Sequence, residues 1–170
     1  MLTREASNKL LKKIRYAIVF FMVALMLSGI TAFPLETEMK WLLGFKNSMP
    51  AGLAAFLSTV YEGLQYTNLH YPMLAYGYDW LAFAHIVIAL FFIGPLKDPV
   101  RNIWVIEWGM IACIAIIPLA FLAKPIRGIP IYWTLIDCSF GVFGIIPLYI
   151  VWKWIKRLEN ANVTNANVRK

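Results

Sequence analysis

The sequence predicts an all-α membrane protein: a four-helix transmembrane bundle with an additional amphipathic helix at the outer interface. Three observations lead there. The 170 residues are 61% hydrophobic and only 15% charged, with a mean hydropathy of +0.66, whereas a soluble domain carries roughly 45–50% apolar and about 25% charged residues. The apolar excess is gathered into runs that contain no Asp, Glu, Lys or Arg: Tyr16 to Leu35, Trp80 to Leu96, Trp108 to Ala123 and Cys138 to Trp152. A helix crosses the hydrocarbon core with about 20 mostly apolar residues, and four such stretches leave little chain for a soluble domain. The cations are also segregated. With the N-terminus inside, Arg4, Lys9, Lys12, Lys13, Arg15, Lys97, Arg101, Lys153, Lys156, Arg157, Arg169 and Lys170 fall on the cytoplasmic side, and only Lys40, Lys46, Lys124 and Arg127 fall outside. That asymmetry satisfies the positive-inside rule. The net charge of +7 therefore reads as an orientation signal, and nucleic acid is excluded as a partner.

Residues 1–15 form a basic amphipathic lead in which Leu10, Leu11 and Ile14 supply the apolar face. The first span follows at about 16–33. Its apolar run exceeds the roughly 7–15 residues of a secretion-signal core, and bulky Ile30 lies three positions into the best cleavage site, after Ala32. It is read as an uncleaved signal anchor. Pro34, Glu36 and Glu38 mark its exit. In the outer connection 34–72, Ser48-Met49-Pro50 offers a helix start with a cap candidate. Beyond it, Leu53, Phe56, Leu57, Val60 and Leu64 recur with helical period, while Ser58, Thr59, Glu62 and Gln65 take other faces. This is the additional amphipathic helix, too polar on one side to span.

The second span covers about 74–94 and stops at Pro95. A short cytoplasmic turn, Lys97 to Arg101, makes it the antiparallel neighbour of the third span, about 102–123. The outer turn Lys124 to Pro130 leads to the fourth span, about 131–152, and residues 156–170 form a polar, frayed cytoplasmic tail. Pro118 and Pro147 lie inside spans, where neighbouring groups can satisfy the freed carbonyls. Trp104, Trp108, Trp152 and Trp154 fall at inner ends and Trp41, Trp80 and Trp133 near the outer side, as an aromatic belt at each interface requires. Asn162-Val163-Thr164 matches a glycosylation acceptor, but on the cytoplasmic side it carries no meaning. The topology and compact size suit a plasma membrane, that of a bacterial inner membrane, with both termini cytoplasmic.

Ionisable groups inside a span are costly, and they are usually paired or functional. On the second span, Ala75, Tyr78, Ala82, His85 and Ala89 form a seam of small residues that lets helices approach closely. His85 is thereby directed inward, with Asp79 at the seam's edge. On the fourth span Thr134, Asp137, Gly141, Gly144 and Leu148 repeat the pattern. The candidates for ligand binding or proton exchange are accordingly Asp79, His85, Asp137, Arg127 and Tyr78, with Glu107 a weaker one. One reading is a polar cavity open to the outside, with the two aspartates near its mouth, His85 at its floor and Arg127 as counter-charge. Paired carboxylates there would suit proton exchange or acid–base work. The other makes them packing devices: Asp137 paired with Arg127 or capping a helix, Asp79 interfacial, and His85 in one interhelical hydrogen bond. The aromatics Tyr66, His70, Tyr71, Tyr76, Tyr78 and Trp80 belong to the outer rim and could line the approach of a ring-bearing ligand.

No cofactor is expected. The only two histidines, His70 and His85, fall at different depths and cannot serve as paired haem ligands, and no metal spacing is present. Cys113 and Cys138 lie inside spans outside any CxxC motif, as packed small residues. Functionally the pattern fits a protein that binds or moves a small apolar or protonatable ligand, working as a homo-oligomer. A lipid- or isoprenoid-modifying enzyme using Asp79, Asp137 and His85 as acid–base groups is one alternative, although no nucleophile motif or phosphate loop supports it. An accessory subunit docking on another membrane protein through its small-residue seams is the other.

Overall fold

The computed structural model describes residues 3–167, and helix is their only regular secondary structure. The elements in chain order are α1 (Arg4–Ala32), α2 (Leu35–Leu43), α3 (Ala51–His70), α4 (Pro72–Phe91), α5 (Ile93–Lys97), α6 (Ile103–Arg127) and α7 (Ile131–Asn167), with a single 3-10 turn at Lys46–Ser48. Four segments are long and apolar enough to cross a membrane: Glu5–Ala32, Pro72–Lys97, Ile103–Arg127 and Ile131–Ala161. Only 17–22% of each apolar window is buried within the chain. Large side chains such as Phe20, Leu27, Leu81, Leu119, Phe143 and Ile146 are left exposed. Soluble monomers rarely expose contiguous apolar patches beyond a few hundred Å², so the surface itself agrees with a multi-pass membrane protein. Arg169 and Lys170, two of the cations that the sequence reading assigns to the cytoplasmic side, lie outside the described residues.

The chain divides into two compact units. One comprises Met1–Met22 with Leu90–Lys170, the other Val23–Ala89. In the first unit the core is drawn from α1 (Ile14, Ile18), from Phe92, from α6 (Val105, Ile106) and from α7 (Leu148, Val151, Ile155), each at most 2% exposed. Helices α6 and α7 meet through small residues. A Cβ placed on Gly141 would collide with the Cys113 carbonyl oxygen, and one on Gly144 would stand 2.9 Å from Cys113 Sγ. Gly109 is also tightly placed, though less so, with Leu148 and Phe92 side chains 3.1 Å from where a Cβ would be. Thr134 and Leu148, at the two ends of the seam expected on α7, are each 1% exposed. Thr134 satisfies its hydroxyl on the Pro130 carbonyl at 3.2 Å.

In the second unit, the C-terminal half of α1 packs on α4. Gly29 comes so close that a Cβ there would lie 2.7 Å from the Ala82 carbonyl oxygen and 3.0 Å from His85 Cβ. Ala82 and Ala89 are fully buried, as the small-residue seam requires. On α3, Leu57 and Leu64 are buried while Thr59, Glu62 and Gln65 are exposed. Short α2, read as part of a loop in the sequence, is tied to α3 by Glu36. Its carboxylate accepts from Gln65 Nε2 at 3.3 Å and from Asn68 Nδ2 at 2.6 Å.

Several boundaries differ from the sequence reading for identifiable reasons. Pro95 does not end its helix; it interrupts it. Lacking an N–H, it cannot bond the Phe91 carbonyl, so α4 stops at Phe91 and helix resumes as α5, with Leu96 N–H bonding Phe92 O at 3.0 Å. Ser48 ends the 3-10 turn and caps nothing; Pro50 holds the N-cap position of α3. Helix α6 passes through Pro125 to Arg127 and ends at Gly128. That glycine adopts φ 66°, and Ile129 N–H returns to Lys124 O at 3.0 Å, the bond that closes a Schellman end. The outer turn is therefore shorter than expected. Helix α7 continues to Asn167, well past Trp152. Buried Ile155, Leu158 and Ala161 anchor this extension, and a Lys156–Glu159 ion pair at 3.2 Å lies along it. For the acceptor motif Asn162-Val163-Thr164 only the helical backbone is described.

Candidate functional site

Asp79 occupies the most distinctive setting among the expected residues. Tyr76, Asp79, Trp80 and Phe83 stand at i, i+3, i+4 and i+7 on α4, the spacing that places side chains on one helical face. With Phe33 they line an open cleft of about 220 Å³. Trp80 meets Tyr76 edge-on at 5.9 Å between ring centroids and Phe83 at 6.3 Å. The rings therefore brace one another around a single carboxylate. Among the described residues Asp79 has neither an ion-pair nor a hydrogen-bond partner.

His85 does not line this cleft. Its Nδ1 lies 2.9 Å from the Leu81 carbonyl oxygen. Since a carbonyl can only accept, Nδ1 carries a proton and donates it. Its Cβ borders Gly29, on the packed side of α4. Tyr78, half-buried, is in register with Ala82 and outside the cleft as well. Asp79 and His85 thus take different faces of one helix, and the reading that put them at the mouth and floor of one cavity separates into an aromatic cleft and a helix seam.

Asp137 and Arg127 belong to the other unit. Asp137 is half-buried on α7, Arg127 is exposed at the end of α6, and no ion pair joins them. Glu107 has a defined structural task. Its Oε1 accepts a hydrogen bond from Trp152 Nε1 at 3.0 Å, linking α6 to α7. Trp152 in turn stacks on Tyr149 at 6.0 Å, and Lys153 Nζ sits 4.7 Å from the Tyr149 ring centroid. Cys113 is buried against Gly141 and Gly144, and both cysteines are free thiols. Among the described residues no three His, Cys, Asp or Glu side chains gather in a way that could hold a metal ion.

Phe33 and Phe83 were not singled out in the sequence, although the i, i+3, i+4, i+7 recurrence of an acid within an aromatic stripe was there to be read. In comparisons with protein families, curated proteins and solved structures, nothing matches this chain.

Proposed function

We propose that this chain is a four-span membrane protein whose aromatic cleft binds a small apolar ligand bearing a protonated amine. The observation that carries the reading is Asp79: a carboxylate without a partner among the described residues, set among the rings of Phe33, Tyr76, Trp80 and Phe83. Aromatic faces attract a desolvated cation with about 0.5–2 kcal/mol each. A carboxylate at the same place adds charge pairing that water would otherwise screen. A neutral apolar molecule would gain only contact with the rings, so the site discriminates by charge.

The orientation that supports this puts both termini in the cytoplasm, on the side with most cations, in a plasma membrane of the bacterial inner-membrane kind. Asp79 then lies toward the outer face, and α3 lies along the outer interface with Leu57 and Leu64 turned inward. Movement of the ligand, beyond its binding, calls for a second copy of the chain, because four helices are few to enclose a path.

The test is binding of small aryl-alkyl amines and of their neutral alcohol counterparts to the purified chain in mild detergent, followed by native mass spectrometry. The amines are expected to bind at least about tenfold more tightly, a difference of roughly 1.4 kcal/mol, and Asp79→Asn is expected to erase that preference. Equal binding of both series, or an unchanged preference in Asp79→Asn, overturns the proposal.

A further inference from the structure

At the turn between α5 and α6 the first unit carries a second cleft, of about 480 Å³, whose chemistry is opposite to that around Asp79. It is lined by the cations Arg15, Lys97 and Arg101, by Asp98, and by an apolar wall that includes Leu11, Val100 and Leu158. The turn that shapes it is tightly built. Asp98 Oδ1 accepts from the Arg101 backbone N–H at 3.1 Å. Asn102 Nδ2 donates to the carbonyls of Gly94 at 3.1 Å and Asp98 at 2.9 Å. Arg15 reaches from α1 to donate Nε to the Leu96 carbonyl at 3.2 Å and Nη2 to that of Lys97 at 3.4 Å.

These bonds leave much of the positive charge uncommitted. A guanidinium has five N–H donors, and Arg15 spends two on the backbone. Lys97 and Arg101 have no carboxylate partner among the described residues. Asp98 is occupied with the turn, so the lining is three cations against one anion on a framework that does not depend on two of those cations. A site with exposed cations on one side and an apolar wall on the other matches a ligand with a phosphate and an attached hydrocarbon.

We infer that this cleft binds the phosphate headgroup of an anionic phospholipid, with the start of its acyl chains along Leu11, Val100 and Leu158. Basic pockets between helices at the cytoplasmic side suit acidic headgroups in this way. The guanidinium of Arg15, held flat by the two carbonyls, presents its remaining N–H groups as a fork for phosphate oxygens. Lys97 and Arg101 close on the same phosphate. The inference concerns a different site from the aromatic cleft and stands or falls separately.

The experiment uses the full chain in mild detergent with added phosphatidylglycerol, phosphatidylcholine or inorganic phosphate, read by native mass spectrometry and thermal stability. Wild-type protein is expected to hold phosphatidylglycerol at least about tenfold more tightly than phosphatidylcholine. Lys97→Gln/Arg101→Gln should lose that preference and remain folded, since neither side chain supports the turn. Lys12→Gln/Lys13→Gln, which removes the same charge from exposed positions on α1, should keep it, and so should Asp79→Asn. Equal retention of the two lipids overturns the inference, as does an equal loss in the Lys12/Lys13 control. Displacement of the lipid by millimolar inorganic phosphate also overturns it, because the site would then serve free phosphate.

Discussion

Single side chains in this protein are placed by what they may approach. Gly29 and Gly77 make the point as a pair. A Cβ on Gly29 would meet the Ala82 carbonyl oxygen at 2.7 Å, whereas nothing lies within 4 Å of one on Gly77. Gly29→Ala should force α1 from α4 and cost about 1–3 kcal/mol; Gly77→Ala should stay within about 0.5 kcal/mol. Unfolding midpoints in mixed micelles would separate the two, and similar losses would refute close packing at Gly29. Glu107 is tested likewise. Removing its acceptor in Glu107→Leu leaves the half-buried Trp152 N–H unsatisfied, at about 1–3 kcal/mol, and Trp152→Phe should recover part of that cost by removing the donor as well. A double-mutant cycle that finds the two changes additive would mean the bond contributes nothing. The inward direction of His85 could be read from its spacing with Ala82 and Ala89. The partner of Glu107 could not, because Trp152 is 45 positions away and only the packing of α6 on α7 brings it near.

At the scale of elements, the bodies of the four long helices were legible and their ends were not. A long charge-free run marks the body of each helix long and apolar enough to cross a membrane. Where it stops depends on how carbonyls are satisfied locally. Pro95 was read as an end, yet Asn102 and Arg15 supply donors to the carbonyls at residues 94, 96 and 97, and the chain keeps helical form beyond the break. Helix α2 escaped notice because nine residues are too few to show a period, and its tie through Glu36 is a tertiary fact. The candidate site was legible only in part. Asp79 stood out as a charge in an apolar run at the edge of the alanine seam, but the face it shares with Tyr76, Trp80 and Phe83 was not picked out. If the turn depends on Asn102, then Asn102→Ala should raise amide hydrogen exchange across residues 94–102 by about tenfold or more, for roughly 1–3 kcal/mol of lost bonding. Exchange unchanged from wild type would assign the turn's order to Asp98 and Arg15.

For the molecule as a whole, the prediction is one of sidedness. In a background with Cys113→Ala and Cys138→Ala, Ser48→Cys should react with an impermeant thiol reagent on intact cells, and Arg157→Cys only after the membrane is opened. Labelling of both from outside would reject the assigned topology. The Arg15 contacts also bear on how such a protein is made. The guanidinium and the carbonyls it holds are 81 and 82 positions apart. At about 5–20 residues per second, the carbonyls emerge from the ribosome roughly 4–16 s after Arg15 does. In the orientation proposed above, the side chain serves another purpose throughout that delay, as one of the charges that keep the N-terminus from crossing. Its bonds to the Leu96 and Lys97 carbonyls can form only once those residues have been made. On that orientation one residue is first an address and later a clasp, and the order of those two tasks is written in its distance along the chain.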